Sequence, residues 1–251
     1  TTVGLFNGTG ELLFRALLET SRSKTRDQCA IELLGVFQLY GADACTVDGA
    51  ILSSVVPPLT TIFTDAIARL TGIPPMVVGP GIRTGLNIKA EIHNQLGSDI
   101  VASSVAAIAK YPSPIVMVDM GTATSLSLIV GSVYEGCIIM PGLALALDAL
   151  SERAAALPPI SIETASPVGL MGHTTEEAMR SGVLYGHASM VDGMLERIEE
   201  SIGQSVTTVA TGGNAPRILR YCKRPIQYDA DLIMTGLYLL YQKNAKKYRK
   251  A

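Results

Sequence analysis

The chain has no tryptophan, and only 5% of its residues are aromatic. A core built without large rings has to be aliphatic, which fits helices layered on a sheet better than an all-β sandwich. Four cysteines (Cys29, Cys45, Cys137 and Cys222) lie far apart with no C-x-x-C pair. That spacing argues against a disulfide framework and against a thiolate metal site. The three histidines, His93, His173 and His187, show no ligand spacing either. No apolar run approaches the ~20 residues of a membrane-spanning helix. A basic leader followed by a hydrophobic stretch is also missing, so the expectation is a soluble, cytoplasmic protein. Charge of either sign is not in excess: the net charge is −2, and bulk electrostatics gives no case for nucleic acid. The basic end, Lys243-Asn-Ala-Lys-Lys-Tyr-Arg-Lys250, reads as a solvated terminus after a helix.

What is present is apolar patterning. With 48% hydrophobic residues over 251 positions, the chain can bury one large core or two of ~125 residues each. Apolar runs at 3–6 and 12–16 flank Asn7-Gly8-Thr9-Gly10, a hairpin signal. From Thr25 the period becomes helical, with Ala30, Leu33, Leu34 and Phe37 on one face. Residues 49–55 read as a strand stopped by Pro57-Pro58, then come a helix from about Leu59 to Thr71 and a brief strand at 75–78. Gly97-Ser98-Asp99 opens a helix through Ala109, capped by Ser98 or Asp99. The second half begins with strands around Asp119 and at 134–140, and Pro141-Gly142 opens a helix. Thr174 and Glu177 have the spacing of a capping box before a long helix to about Ser201. A strand at 206–210 runs into Thr211-Gly212-Gly213, and a last helix covers about 231–242. Two comparable mixed α/β halves therefore meet near residue 112, giving expected domains of 1–111 and 112–251.

The most informative stretch is Ile115-Val-Met-Val-Asp-Met-Gly-Thr-Ala-Thr124. A buried strand ends on a carboxylate, Asp119, and a turn with one glycine and two threonines leads into a second apolar run. Gly121 has no Cβ to keep a ligand from the turn's N–H groups, Thr122 and Thr124 add hydroxyls, and Asp119 can hold a cation or orient water. That combination suits phosphate oxygens with a metal ion alongside. An ordinary hairpin with a solvated Asp is the competing reading.

Ordered motifs give the stretch its context. They are Ser53-Ser-Val-Val-Pro-Pro58, Gly79-Pro-Gly-Ile-Arg-Thr-Gly-Leu86, Gly97-Ser-Asp99 and Asp119 to Thr124. Glu135-Gly136 with Pro141-Gly142 follows, then Gly172-His-Thr-Thr175 with Glu177-Ala-Met-Arg-Ser-Gly182, and finally Thr211-Gly-Gly213. Together they resemble the type III pantothenate kinases, within the acetate kinase, hexokinase and actin (ASKHA) superfamily, across nearly the whole chain. The resemblance implies two ribonuclease-H-like domains that clasp ATP, and transfer of its γ-phosphoryl to pantothenate, the first step of coenzyme A biosynthesis. It implies Asp119 as the acid that binds a monovalent cation (potassium or ammonium), with Mg2+ as a further cofactor. Gly121, Thr122 and Thr124 become the phosphate turn, and Thr211, Gly212 and Gly213 the adenosine loop. Asp99 becomes the general base, with Gly97, Ser98 and Ile100 around it and Thr175 as a substrate contact reached across a homodimer. Asp119 and the diglycine turn should then stand on opposite walls of a single nucleotide cleft.

Three departures from the family pattern stand out, the last two of them on the acceptor side. The family opens with a strand ending Asp-Ile-Gly-Asn-Thr, whose Asp coordinates magnesium, whereas Thr1 to Phe6 matches the segment after it. The expectation is that the natural protein carries residues ahead of Thr1, with a start at Met-Thr-Thr as the alternative. The family's Gly-Ala-Asp-Arg reads here Gly97-Ser-Asp-Ile100, so the cation beside the base is gone. Upstream, a usual Tyr and Asn-Pro turn are replaced by Ala90 and Ile92-His93. The alternatives are a divergent nucleotide-binding or regulatory paralogue with a degenerate pantothenate pocket, or a kinase for another small hydroxyl substrate. A sugar or acetate-type kinase sharing only the ATP fold is argued against by the Ser53–Pro58 and Gly79-Pro80-Gly81 segments.

Overall fold

A computed structural model describes residues 1–89, 96–163 and 168–245; Ala90, Ile92 and His93 lie outside them. The chain forms two compact units. Among described residues the first holds 1–86, 96–106 and 232–245, and the second 87–89, 107–163 and 168–231. One boundary at 111/112 does not reproduce this grouping, because the last helix belongs to the first unit.

In the first unit, β1 (Thr2–Phe6) and β2 (Leu12–Leu17) form the expected hairpin. Helix α1 (Arg26–Leu39) starts at Thr25, whose side chain and that of Gln28 make a reciprocal capping box. A 3₁₀ turn (Ala44–Thr46) precedes β3 (Ile51–Leu52), a two-residue strand where seven residues read as extended. Helix α2 (Pro57–Thr71) begins on the prolines themselves. The proline pair ends the strand by starting the helix: its fixed φ suits the first turn, where the missing N–H would have no partner anyway. Strand β4 (Met76–Val77) pairs parallel with β3. Among the described residues β1 pairs only with β2, and β3 only with β4.

The second unit is built on one six-stranded sheet. Its elements are β5 (Asn87–Ile88), the end of α3 (Ser98–Lys110), β6 (Ile115–Met120), β7 (Ala123–Val130), β8 (Val133–Pro141) and α4 (Leu143–Arg153). They continue with α5 (Thr175–Ile202), β9 (Thr207–Thr211), α6 (Ala215–Leu219) and β10 (Gln227–Tyr228). The strand order is β10-β9-β6-β7-β8-β5, with β6 parallel to β9 and antiparallel to β7. Ile115 to Val118 are all fully buried, as expected of a central strand covered on both faces. Leu184, Ala188, Val191, Leu195 and Ile198 recur at alternating spacings of four and three, so one stripe of α5 enters the core with Val116, Val118 and Ala210. At the end of α3, Asp229 takes hydrogen bonds from Lys110 and from the Tyr111 hydroxyl at 2.8 Å. Burial alone would raise the Asp229 carboxyl, but these two donors outweigh it and hold it below its ordinary value.

Helix α7 (Leu232–Asn244) returns to the first unit. Gly236 lies so close to the Ala102 carbonyl of α3 that any Cβ would collide with it. Asn244 seals the contact: its Oδ1 accepts from Arg83 N–H and its Nδ2 donates to the Arg83 carbonyl, both at 3.0 Å. No helix among the described residues is long and apolar enough to cross a membrane.

Candidate active site

In the second unit, the sheet brings the carboxyl ends of β6 and β9 side by side. Asp119 is in register with Thr211 of the parallel neighbour and with Ser125 of the antiparallel one. Gly212 follows at φ +94°, a backbone state that side chains other than glycine rarely adopt. Its missing Cβ would stand 2.6 Å from the Met120 carbonyl oxygen and 2.7 Å from Asp119 Oδ1. The carboxylate and the diglycine turn therefore meet at one corner, on adjacent strand ends of the same sheet, and not on opposite walls as expected.

The turn after β6 is closed by Gly121 N–H donating to the Ala123 carbonyl at 3.0 Å. A methyl at position 121 would find only ordinary contacts at 3.8 Å, so nothing inside the described protein requires glycine there. Thr122 is exposed and Asp119 half-buried. Gly142, at the end of β8, packs against this turn: its N–H donates to the Thr122 carbonyl at 3.1 Å, and a Cβ would press to 2.7 Å from the Gly121 oxygen. Thr211 is buried, while Gly213 is exposed at the tip.

Thr124 departs from its expected role as a phosphate contact. It is fully buried, and its hydroxyl is hydrogen-bonded to His187 Nε2 of α5 at 2.8 Å. It supports the turn from within and leaves Thr122 as the exposed hydroxyl. The sequence held a signal for this: Thr124 is in phase with Leu126 on the period-two pattern of β7, so it shares the inward face. Burial lowers the His187 pKa from its ordinary 6.5, because the charged ring is poorly solvated there. The unfolded chain takes its proton near the ordinary value and the folded chain resists it, so stability is full above about pH 6.5 and falls as the pH drops below it. The loss is expected to approach about 1.4 kcal/mol per pH unit while the buried ring stays neutral. Thermal melts between pH 7.5 and 5 should show a steeper acid loss in the wild type than in His187→Gln; equal slopes would remove His187 as the cause.

In the first unit, Asp99 stands in the first turn of α3, half-buried, with Oδ1 accepting the Ile100 N–H at 2.8 Å. A Cβ on Gly97 would run into that carboxylate, so glycine makes the space that the acid occupies. Ser98 Oγ is within 2.8 Å of Ser53 Oγ and donates to the Ser54 carbonyl at 3.3 Å. This ties the Ser53–Pro58 motif to the helix start. Ile100 is half-buried beside the acid.

Thr175 is the exposed first residue of α5. Thr174 caps the helix by accepting the Glu177 N–H at 3.2 Å, and Glu177 reaches back to the His173 N–H at 2.8 Å, one residue before the expected partner. Gly172 packs directly on this first turn, where a Cβ would sit 2.5 Å from the Glu177 carbonyl carbon. Three residues at the β6–β9 corner carried no signal in the motif reading: His187, Asn214 and Arg217. The last two are connected to the Gly121 turn by hydrogen bonds.

A family model described as type III pantothenate kinase matches residues 1–197. The type III pantothenate kinase of an Exiguobacterium species is 38% identical over 245 residues, covering 97% of this chain and 95% of the relative. That of Geobacillus thermodenitrificans is 38% identical over 248 residues, covering 98% and 95%. Among solved structures, component A of (R)-2-hydroxyglutaryl-CoA dehydratase from Acidaminococcus fermentans superposes with a TM-score of 0.56 at 12% identity, over 98% of this chain and 95% of that one. That likeness concerns the fold alone, a mixed α/β architecture. With the family motifs in order and 38% identity over nearly its whole length, this chain belongs to the type III pantothenate kinase family.

Proposed function

We propose that the protein transfers the γ-phosphoryl of ATP to the primary hydroxyl of pantothenate, giving 4′-phosphopantothenate for coenzyme A synthesis. The observation that carries this reading is the corner where Gly212 packs against Asp119 and Met120 beside the Gly121–Thr122 turn, with Thr122 exposed. Such a corner offers backbone N–H groups, a hydroxyl and one carboxylate, the donor set that a nucleotide phosphate with its cation needs. The Thr122 hydroxyl and the turn amides bind phosphate oxygens, and Thr211 to Gly213 lie against the nucleotide. Asp99 takes the proton of the acceptor hydroxyl, a role that demands hydrogen-bond reach to that hydroxyl. Gly97, Ser98 and Ile100 shape its surroundings, and Thr175 contacts the acceptor of a partner subunit in a cytoplasmic homodimer.

The cation partners fit on one condition. No three His, Cys, Asp or Glu side chains cluster as a metal cage among the described residues. The residues present therefore suit a cation shared between Asp119 and nucleotide phosphates, the way magnesium commonly takes one or two carboxylates and leaves the rest to phosphate and water. When bound, magnesium and potassium or ammonium supply neutralising charge to the phosphates, while the protein supplies position.

The test is an assay of the full-length protein with pantothenate, ATP, magnesium and potassium or ammonium. Phosphopantothenate is expected to form in step with ADP. Nucleotide binding with no phosphopantothenate at any cation concentration would instead mark a regulatory paralogue or a kinase for another hydroxyl.

A further inference from the structure

The turns that follow β6 and β9 are joined by one side chain. Asn214 donates its backbone N–H to the Met120 carbonyl at 3.1 Å and its Nδ2 to the Gly121 carbonyl at 3.2 Å. Its Oδ1 accepts from Arg217 Nη1 at 3.2 Å, and Arg217 Nη2 pairs with Glu163 at 2.6 Å. These partners fix the amide's orientation, since a carbonyl only accepts and a guanidinium only donates. Asn214 also occupies the N-cap position of α6, where asparagine ordinarily satisfies a helix N–H with its own side chain. Here it makes no such bond. Its amide is spent across the gap, on the neighbouring turn.

We infer that Asn214 is the positioning residue of the phosphate turn, braced by Arg217. The inference rests on the reading that the Gly121–Thr122 turn takes phosphate. The C=O and N–H of a trans peptide point in opposite directions across a rigid plane. Holding the Gly121 carbonyl toward Asn214 therefore aims the Thr122 N–H the opposite way, and Thr122 is an exposed residue. Gly121 on its own resists rotation of that peptide weakly, having no Cβ. Gly142 holds the following carbonyl, that of Thr122, so consecutive peptides of the turn are pinned from two sides. The clasp fixes the direction of a donor before any ligand arrives, and Arg217 keeps the amide from presenting its oxygen to the Gly121 oxygen.

The test compares nucleotide affinity by calorimetry, using ADP with magnesium, across wild type, N214L, N214D and R217M, with steady-state KM values for ATP and pantothenate alongside. N214D keeps the shape and the acceptor for Arg217 but sets a carboxylate against the Gly121 carbonyl. Both Asn214 variants are expected to bind nucleotide about tenfold more weakly, and R217M about threefold, with the pantothenate KM within about twofold of wild type. A merely structural clasp would lower the melting temperature of the variants and leave nucleotide affinity within about twofold, which overturns the inference. If N214L does not fold, the near-isosteric N214D decides by the same affinity criterion. A wild type that binds no nucleotide overturns the phosphate-turn reading as well, whereas normal wild-type binding with unmoved variants overturns this inference alone.

Discussion

Asp99→Asn is expected to lower kcat by about 10²- to 10⁴-fold while nucleotide affinity stays within about twofold. The exchange is nearly isosteric, and the structure shows why the fold should tolerate it. Among the described residues the carboxylate accepts one hydrogen bond, from the Ile100 N–H, and a carboxamide oxygen can accept the same bond. The space left by Gly97 for an acid also accommodates the amide. What the amide lacks is the ability to take a proton. Single-turnover phosphorylation at saturating ATP, paired with calorimetric nucleotide titration, separates the two quantities. A variant that keeps more than about a fifth of wild-type kcat would show that the proton leaves by another route.

Gly212→Ala is the second large effect. Two costs add: a left-handed backbone state imposed on a residue with a Cβ, and a methyl set 2.6 Å from the Met120 carbonyl oxygen and 2.7 Å from Asp119 Oδ1. The first is worth about 1–2 kcal/mol. The second has no flexible side chain to push aside on the Met120 flank, so the β6 and β9 ends have to separate. A fall in stability of about 2–4 kcal/mol and a loss of nucleotide affinity beyond about 100-fold are expected, read from chemical denaturation and from calorimetry. Gly121→Ala supplies the contrast. Its methyl meets nothing closer than 3.8 Å, so stability should hold while nucleotide affinity falls. Equal affinity in Gly121→Ala and wild type would mean that no ligand approaches that backbone.

Much of this corner was legible in the sequence because the signals there are local. An apolar strand ending on Asp119, a glycine turn and a strand running into Gly212 each depend on a few adjacent residues, and the sheet pairs Asp119 with Thr211. The Thr25 capping box was legible for the same reason, although only its helical period had been read. The inward turn of Thr124 was also available, in the phase of Leu126, but its type as a hydroxyl suggested a ligand instead. His187 and Asn214 were out of reach. Each acts on a residue distant in sequence, 63 positions away for His187 and 93 for Asn214. The two-residue strands β5 and β10 have no periodicity to read, and the short β3 owes its length to pairing with an equally short β4. The home of α7 was hidden too, since Gly236 declares a close approach without naming Ala102 as the surface approached.

That closure by α7 has a consequence for how the chain is made. During synthesis, the ribosome releases residues 107–231, the bulk of the second unit, as one uninterrupted stretch, after the β5 segment that pairs with β8. The earlier unit must wait, because the helix that covers Ala102 and holds Arg83 is translated more than a hundred residues later. Until then its apolar surfaces, Ala102 and Val78 among them, lack the Leu240 flank that buries them in the finished protein. A nascent chain of this kind offers holding chaperones a long window on the residues of the first unit that precede position 107.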